Sequence, residues 1–554
     1  MKIPFLRYTI LLSFLGLALN SLAQDKPNPT PPSGTLTEEI EVVRPYKPVL
    51  ADAVKIRRSP DLKNEQPYKA ALTYTIVDKK LELNSNIKEL EAQKMADEQD
   101  VVLSNNYAKG AAGSSGTTLG ELYVNTGRDQ ALQAGAFFKH LSQQGDQDKQ
   151  QFSNQQLGVF GRSVLDSYSL SGKLMYDRRS TYFYGFNPTS SAVINMDKQR
   201  FGTIIGEAEL MNNYSESSPL DYALNLKAYQ FSNIDDGRES SLILGGSVNK
   251  AMNLLNIGLN ASADFTAVKD EAYKMGNSIL RANPYVKLQG KGFLVNIGAN
   301  IVQEFGDRSR TNVFPAVSAE IPVVTDYAIL FGGLNGDVLK TSLRDLALEN
   351  PYLSKNISIN NSIEKMNIYA GIKGNAGAEF GYKVFGFYKT VEDLLLFVNN
   401  ATAINRFDAI YDNGNSNIFG LNGQVNVKAS EVLSLTGKAE IYNYELASEN
   451  EAWFKPTLRL TSNARFDLNE KVIIDGELLF QGESSAKVPG PASAPVSIVN
   501  IQSFVDVSAG AEYRVNNKFG VFLRANNLLG KSYQKYLYYS RLGLTLFGGV
   551  NYSF

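Results

Sequence analysis

Hydrophobic and polar residues alternate along most of this chain with a period of two, the signature of strands with one apolar and one polar face. The clearest case ends the sequence. Leu542, Leu544, Leu546, Val550, Tyr552 and Phe554 fall on one face, and Gly543, Thr545, Gly549, Asn551 and Ser553 on the other, broken only by Phe547. Residues 457–468 repeat the scheme, with Leu458, Leu460, Ala464, Phe466 and Leu468 opposite Arg459, Thr461, Asn463, Arg465 and Asp467. In 472–480, Val472, Ile474, Leu478 and Phe480 oppose Asp475 and Glu477. In 505–515 the polar face carries Asp506, Glu512 and Arg514. Any one such strand could belong to a soluble sandwich. A run of them from about residue 101 to Phe554 is too long for a single sandwich domain. The pattern instead predicts an all-β fold: a transmembrane antiparallel barrel with lipid outside and water inside.

The connections strengthen this reading. Tight turns are expected at 128–130, 429–431, 469–471 and 516–518. Long connections are expected at 443–455, 481–502 and 527–540, and wide segments near 341–362 and 398–417. Short turns on one side and long loops on the other is the outer-membrane pattern, with both termini periplasmic. A downward strand at 118–127 needs an upward partner, which 103–112 supplies. The tally is about 22 strands.

The front of the chain differs. Lys2 and Arg7 precede the apolar run 10–19 and then Ser21-Leu22-Ala23, so residues 1–23 are predicted to be a secretory signal peptide. Residues 24–100 are predicted to be a mostly irregular segment. They comprise a Pro-rich tether at 25–34, a charged extended stretch at 37–48 and a short solvated helix or linker at 86–100. The barrel follows from 101 to 554.

Composition narrows the chemistry. No cysteine occurs in 554 residues, which removes disulfides, thiol catalysis and thiolate metal sites. The single histidine, His140, cannot build a His-rich metal site or a His-paired nucleophile, and is read as a rim or loop residue. No catalytic residue, metal site or cofactor is therefore expected, and an enzyme is disfavoured. A net charge of −1 points away from nucleic acid. The 29 Tyr and 29 Phe suit interfacial girdles. In the last connection Tyr533, Tyr536, Tyr538 and Tyr539 lie near Lys531, Lys535 and Arg541. They read as an extracellular aromatic patch, either stacking on a ligand or partner or, by default, meeting lipid headgroups.

Several stretches resemble TonB-dependent receptors, particularly of the Bacteroidota type: 106–113, 385–396, 411–421 (with Asn422 where Glu is usual), 524–533 and the terminal Tyr552-Ser553-Phe554. The resemblance covers the barrel and implies an outer-membrane location. It also implies that Val550, Tyr552 and Phe554 form a C-terminal signal read by the barrel-assembly machinery. Glu39, Ile40, Glu41, Val42 and Val43 resemble the coupling box contacted by a periplasmic energy-coupling protein. The departure is that 24–100 is too short for a full plug domain, so a barrel this wide needs another filling. A reduced plug at 46–96 is one candidate, with Lys55, Arg57 and Arg58 near inward carboxylates such as Asp475, Glu477, Asp506 and Glu512. Inward-folded loops or a partner are the others. The leading expectation is solute or nutrient passage or binding across the outer membrane. The alternative is a plugless structural subunit of a larger outer-membrane complex.

Overall fold

The computed structural model describes residues 106–554, except 127–130, 186–193, 214–219, 291, 326, 378, 470 and 490–495. The expected signal peptide, coupling-box-like residues Glu39–Val43, tether and reduced plug lie outside the described residues.

The described chain closes into one 22-stranded antiparallel sheet. Neighbours in sequence pair with each other around the ring. The first strand, Asn106–Gly113, pairs with both Thr118–Asn125 and the last, Thr545–Ser553. At that seam the Asn106 N–H donates to the Phe554 carbonyl at 3.1 Å, and the Phe554 N–H donates to the Asn106 carbonyl at 3.0 Å. Closure leaves no strand edge without a partner, a requirement of any backbone that crosses a bilayer.

The alternation sets which face is out. Leu224 and Leu226, Leu242 and Leu244, and Leu546, Val550, Tyr552 and Phe554 all stand exposed on the outer wall. Exposed aromatics gather beside the short turns: Tyr168 after 165–167, Phe293 after 291–292, Phe380 after 376–379, Tyr513 before 515–518. Such a ring marks the level of a membrane–water interface. Inside, charges meet charges, as in Lys227–Glu207 at 3.0 Å. This arrangement predicts opposite outcomes for adjacent substitutions. Leu226→Arg should cost about 2–4 kcal/mol of barrel stability by placing a charge in lipid. Lys227→Gln should stay within about 1 kcal/mol. Denaturant unfolding in lipid checks both.

Wall height is uneven. Strands at the seam have 8 or 9 residues, close to the ~9–11 that cross a bilayer. Phe380–Asn399 and Phe407–Lys428 have 20 and 22. On these two the exposed apolar band stops at Tyr388 and Phe419, which face each other across the strands. Above them a bulge sets Asp393, with φ 56°, against Asn413 and Gly414, whose φ of 120° favours glycine. Beyond the bulge Leu394, Leu396, Val398, Phe407 and Ala409 are buried. The upper hairpin therefore stands clear of the membrane band and packs on protein.

The alternation of turns and loops holds. Five details differ from expectation: the wide segment expected near 398–417 is a seven-residue connection, 400–406, because both flanking strands extend above the membrane band, the last connection holds a short pairing of Gln534–Tyr536 with Tyr539–Ser540, and the first two strands run 106–113 and 118–125. Connection 482–503 holds a hairpin, Ser484–Val488 with Ser497–Ile501. Connection 340–361 holds a helix, Leu343–Glu349. The helix escapes periodicity analysis because its seven residues, about two turns, bury only Leu343, Leu346 and Ala347.

Candidate functional site

Eleven connections share one end of the barrel, and the longest of them fold into a lid. Its centre is aromatic. Phe407, Trp453, Tyr536 and Tyr539 are at most 5 % exposed, although all but Phe407 come from the connections at this end, Tyr536 and Tyr539 from two short paired strands within the last one. Tyr539 stacks on Tyr352 with ring centres 3.5 Å apart and meets Tyr184 edge-on at 5.0 Å. Tyr536 lies 5.4 Å from Phe407 and 5.5 Å from Phe454. The phenols are satisfied by loop carbonyls. Tyr539 donates to Asn405 at 2.5 Å, Tyr536 to Glu349 at 2.8 Å and Tyr184 to Ser540 at 2.9 Å. Burial pushes the hydroxyls of Tyr352, Tyr536 and Tyr539 well above their usual titration range.

The lid reaches from wall to wall. Asn405, between the strands Phe380–Asn399 and Phe407–Lys428, donates to the carbonyls of Phe183 at 2.8 Å and Asn195 at 3.0 Å. Both acceptors lie between the strands Tyr168–Tyr182 and Lys198–Asn212, ten strands away in a ring of 22. The Arg406 guanidinium covers the Phe183 ring at 3.9 Å and donates to Asp235 at 3.3 Å. With strands about 4.8 Å apart and tilted about 40°, such a ring is roughly 40 Å across. Loops rooted on opposite walls therefore meet over the mouth.

Buried polar groups pin the lid's margins. Glu239, fully buried, accepts from the Tyr229 hydroxyl at 2.7 Å and from the Leu343 N–H at 2.6 Å, tying the helix to the wall. Ser342 caps that helix by accepting from the Asp345 N–H at 3.0 Å. Lys340 pairs with Asp264 at 2.6 Å. Asp412 gathers connection 446–457: it accepts from the N–H groups of Ala447, Ser448 and Glu449 at 2.6–2.7 Å and from the hydroxyls of Ser416 and Ser448. Burial opposes its ionisation, but these hydrogen bonds prevail and bring its carboxyl down to about 2.

Lys535 is also lowered, to about 8, but here burial is the main cause and favours the neutral form; Glu349 opposes the shift, while Arg459 and Lys455 add to it. Between about 8 and the ordinary 10.5 the unfolded chain binds the proton and the folded lid does not. Stability therefore rises with pH across that window. Amide exchange in 531–539 should slow, after correction for its intrinsic pH dependence, as pH goes from 8 to 10.

The residues singled out in the sequence fall into separate places. Val550, Tyr552 and Phe554 are on the outer wall at the seam. Arg459, Arg465, Asp467, Asp475, Glu477, Asp506, Glu512 and Arg514 share the opposite face. There Arg524, 3 % exposed, bridges Asp475 at 3.2 Å and Glu477 at 3.0 Å, and Arg514 lies 3.9 Å from Glu512. The four tyrosines of the last connection form no surface patch. Tyr536 and Tyr539 are in the lid core, so lipid headgroups do not meet them. Tyr533 stacks on Phe504 at 3.9 Å and donates to Asp506, and Tyr538 packs at the edge of the core. The opposite walls come together through Asn405 and Tyr184, which nothing in the sequence marks. Trp453-Phe454 carried a signal, since two large apolar residues in a loop imply an interior for that loop. Among the described residues no cluster of acids or His is placed to hold a metal.

No family model and no curated protein matches this sequence. Solved structures do match its fold. The FrpB iron transporter of Neisseria meningitidis superposes with a TM-score of 0.64 at 11 % identity, over 81 % of each chain. The ferric-catecholate import receptor Fiu of Escherichia coli K12 gives 0.62 at 10 % identity, again over 81 % of each. The siderophore receptor PirA of Acinetobacter baumannii gives 0.62 at 11 % identity, over 81 % of this chain and 80 % of its own. The chain has the fold of these outer-membrane receptor barrels. The resemblance read from the sequence to TonB-dependent receptors thus holds for the barrel.

Proposed function

We propose that the protein is a receptor-type outer-membrane barrel that serves the passage of a solute, with the loop lid as its gate. The observation that carries this reading is the contact of Asn405 with Phe183 and Asn195 across the mouth. A 22-stranded ring is wide enough to leak unless filled, and here the chain's own loops occupy one end. The short-turn end, with both Asn106 and Phe554, faces the periplasm in this reading, and the lid faces outward. Lipid surrounds the apolar band. Val550, Tyr552 and Phe554 address the barrel to its assembly machinery, and Glu39–Val43 meet an energy-coupling protein. Iron and ferric siderophores, the cargo named for the structural neighbours, are the first solutes to test.

The second reading, a structural subunit, is favoured by the same lid, because a continuous apolar core suits a permanent seal. Gentle extraction followed by a planar-bilayer recording separates the two. A monomer that is closed at rest and conducts on addition of a ferric chelate supports passage. A fixed stoichiometric set of partner proteins around a barrel that never conducts supports the scaffold.

A further inference from the structure

The outer wall changes character where it approaches the lid. Along the six strands from Tyr168–Tyr182 to Lys274–Gly290, the outward positions among the described residues carry no Asp or Glu. They do carry cations, and three of these stand side by side. Arg238 opens the strand Arg238–Met252 and pairs with Lys269, which ends Leu255–Lys269. Lys269 pairs in turn with Lys274, which opens Lys274–Gly290. All three are exposed. With strands about 4.8 Å apart, the row spans roughly 10 Å. Like charges directly opposite each other in a sheet repel. Most carboxylates of the adjoining turns are engaged in the lid. Asp235 accepts from Arg406 at 3.3 Å, Asp270 accepts from the Ile357 N–H at 3.3 Å, and Glu271 lies 3.4 Å from Lys355. Asp236, exposed in its turn, is the exception.

The wall below this row is graded. The next outward residues, again in register, are small: Ser240, Ala267 and Gly276. Leu242, Leu244, Phe265 and Leu280 follow on the same face, all exposed. Phe265 is four residues from Lys269, about 13 Å along the strand. Cations, then a shelf of small residues, then apolar surface complement a lipid whose anionic headgroup leads into acyl chains.

We propose that Arg238, Lys269 and Lys274 dock the headgroup of a phosphate-bearing lipid in the leaflet on the lid side, with its chains against Phe265 and Leu280. A phosphate between the cations turns their repulsion into attraction. The Arg238 fork takes two phosphate oxygens, and the lysines act as point charges beside it. Three cations in a row favour a lipid with two phosphates over a lipid with one. A zwitterionic lipid brings its own cation and gains less. A soluble anion meets the row but leaves the apolar surface unused. Lys198 and Arg200, exposed on the same face two strands earlier, extend the attraction along the rim.

This inference rests on the apolar band being the lipid-facing wall, with the lid outward, and not on whether the barrel conducts. The experiment is native mass spectrometry of the full chain in neutral detergent with cardiolipin, phosphatidylcholine and inorganic phosphate. Cardiolipin should be retained at least tenfold more tightly than phosphatidylcholine, and an excess of inorganic phosphate should not displace it. Replacing all three cations (Arg238→Gln, Lys269→Gln and Lys274→Gln together) should remove the preference. Lys269→Gln alone, the middle of the row, should weaken cardiolipin at least threefold and decides the matter if the triple variant does not fold. Lys250→Gln, exposed at the other end of the strand that Arg238 opens, should leave the preference unchanged. A preference that survives the loss of the row, or that Lys250→Gln weakens equally, would overturn the proposal. So would displacement by inorganic phosphate, which would assign the row to a soluble anion. A barrel that prefers cardiolipin but conducts nothing keeps this site and loses the passage reading; one that conducts a ferric chelate without the preference does the reverse.

Discussion

Tyr539→Ala is expected to open the barrel. The ring touches Tyr352, Tyr184 and Phe407, and its hydroxyl holds Asn405, the residue that spans the mouth. Truncating a buried aromatic costs about 3–5 kcal/mol. The wall does not share this cost, because its 22 strands are paired independently of the lid. The loss therefore falls on the lid equilibrium. At about 1.4 kcal/mol per factor of ten, open states should rise by two to three orders of magnitude. Planar-bilayer recordings should show large steps absent from the parent protein. Tyr538→Ala, at the edge of the core, should change little. A silent Tyr539→Ala barrel would mean that the lid is held from elsewhere.

Asp412→Ala should release one quadrant of the same lid. Its carboxylate is the acceptor for three consecutive N–H groups, of Ala447, Ser448 and Glu449. Hydrogen bonds to a charged group contribute about 1.5–3 kcal/mol each, so losing three of them ranks among the larger single-residue effects in the chain. Connection 446–457 would then come away, taking Trp453 and Phe454 out of the core. Amide exchange of 447–449 reads this directly and should quicken by several orders of magnitude, with Asp412→Asn between the two extremes. The sign of the pH effect follows from the depressed titration of Asp412. The hub is fully present above the ordinary carboxylate range and is lost as pH falls through about 2. Unchanged exchange in Asp412→Ala would remove the hub from the account.

The wall was legible from the sequence and the lid was not, for one physical reason. A barrel strand is specified locally: each residue faces lipid or lumen, so Leu224, Leu226 and Lys227 declare their sides by parity alone. Turn lengths added the ring order and the count. The lid is specified by contacts between residues hundreds of positions apart, such as Tyr184 with Ser540 and Asn405 with Phe183. No period connects them. The tyrosines of the last connection show the cost of reading locally. Near Lys535 and Arg541 they looked like a surface, whereas Tyr536 and Tyr539 are core. Phe547, the one residue that broke the terminal alternation, has a similar explanation. It faces inward and packs with Leu119 and Phe522.

The central claim is that loops rooted on opposite walls meet over the mouth, and the absence of cysteine from the chain makes it directly testable. Asn405→Cys and Asn195→Cys, introduced together, give the only two thiols in the protein. In the folded barrel under mild oxidant they should form an intramolecular disulfide in high yield, seen as a shifted band that reductant reverses. Two thiols that stay free, or that link only between molecules, would place the loops apart and contradict the lid.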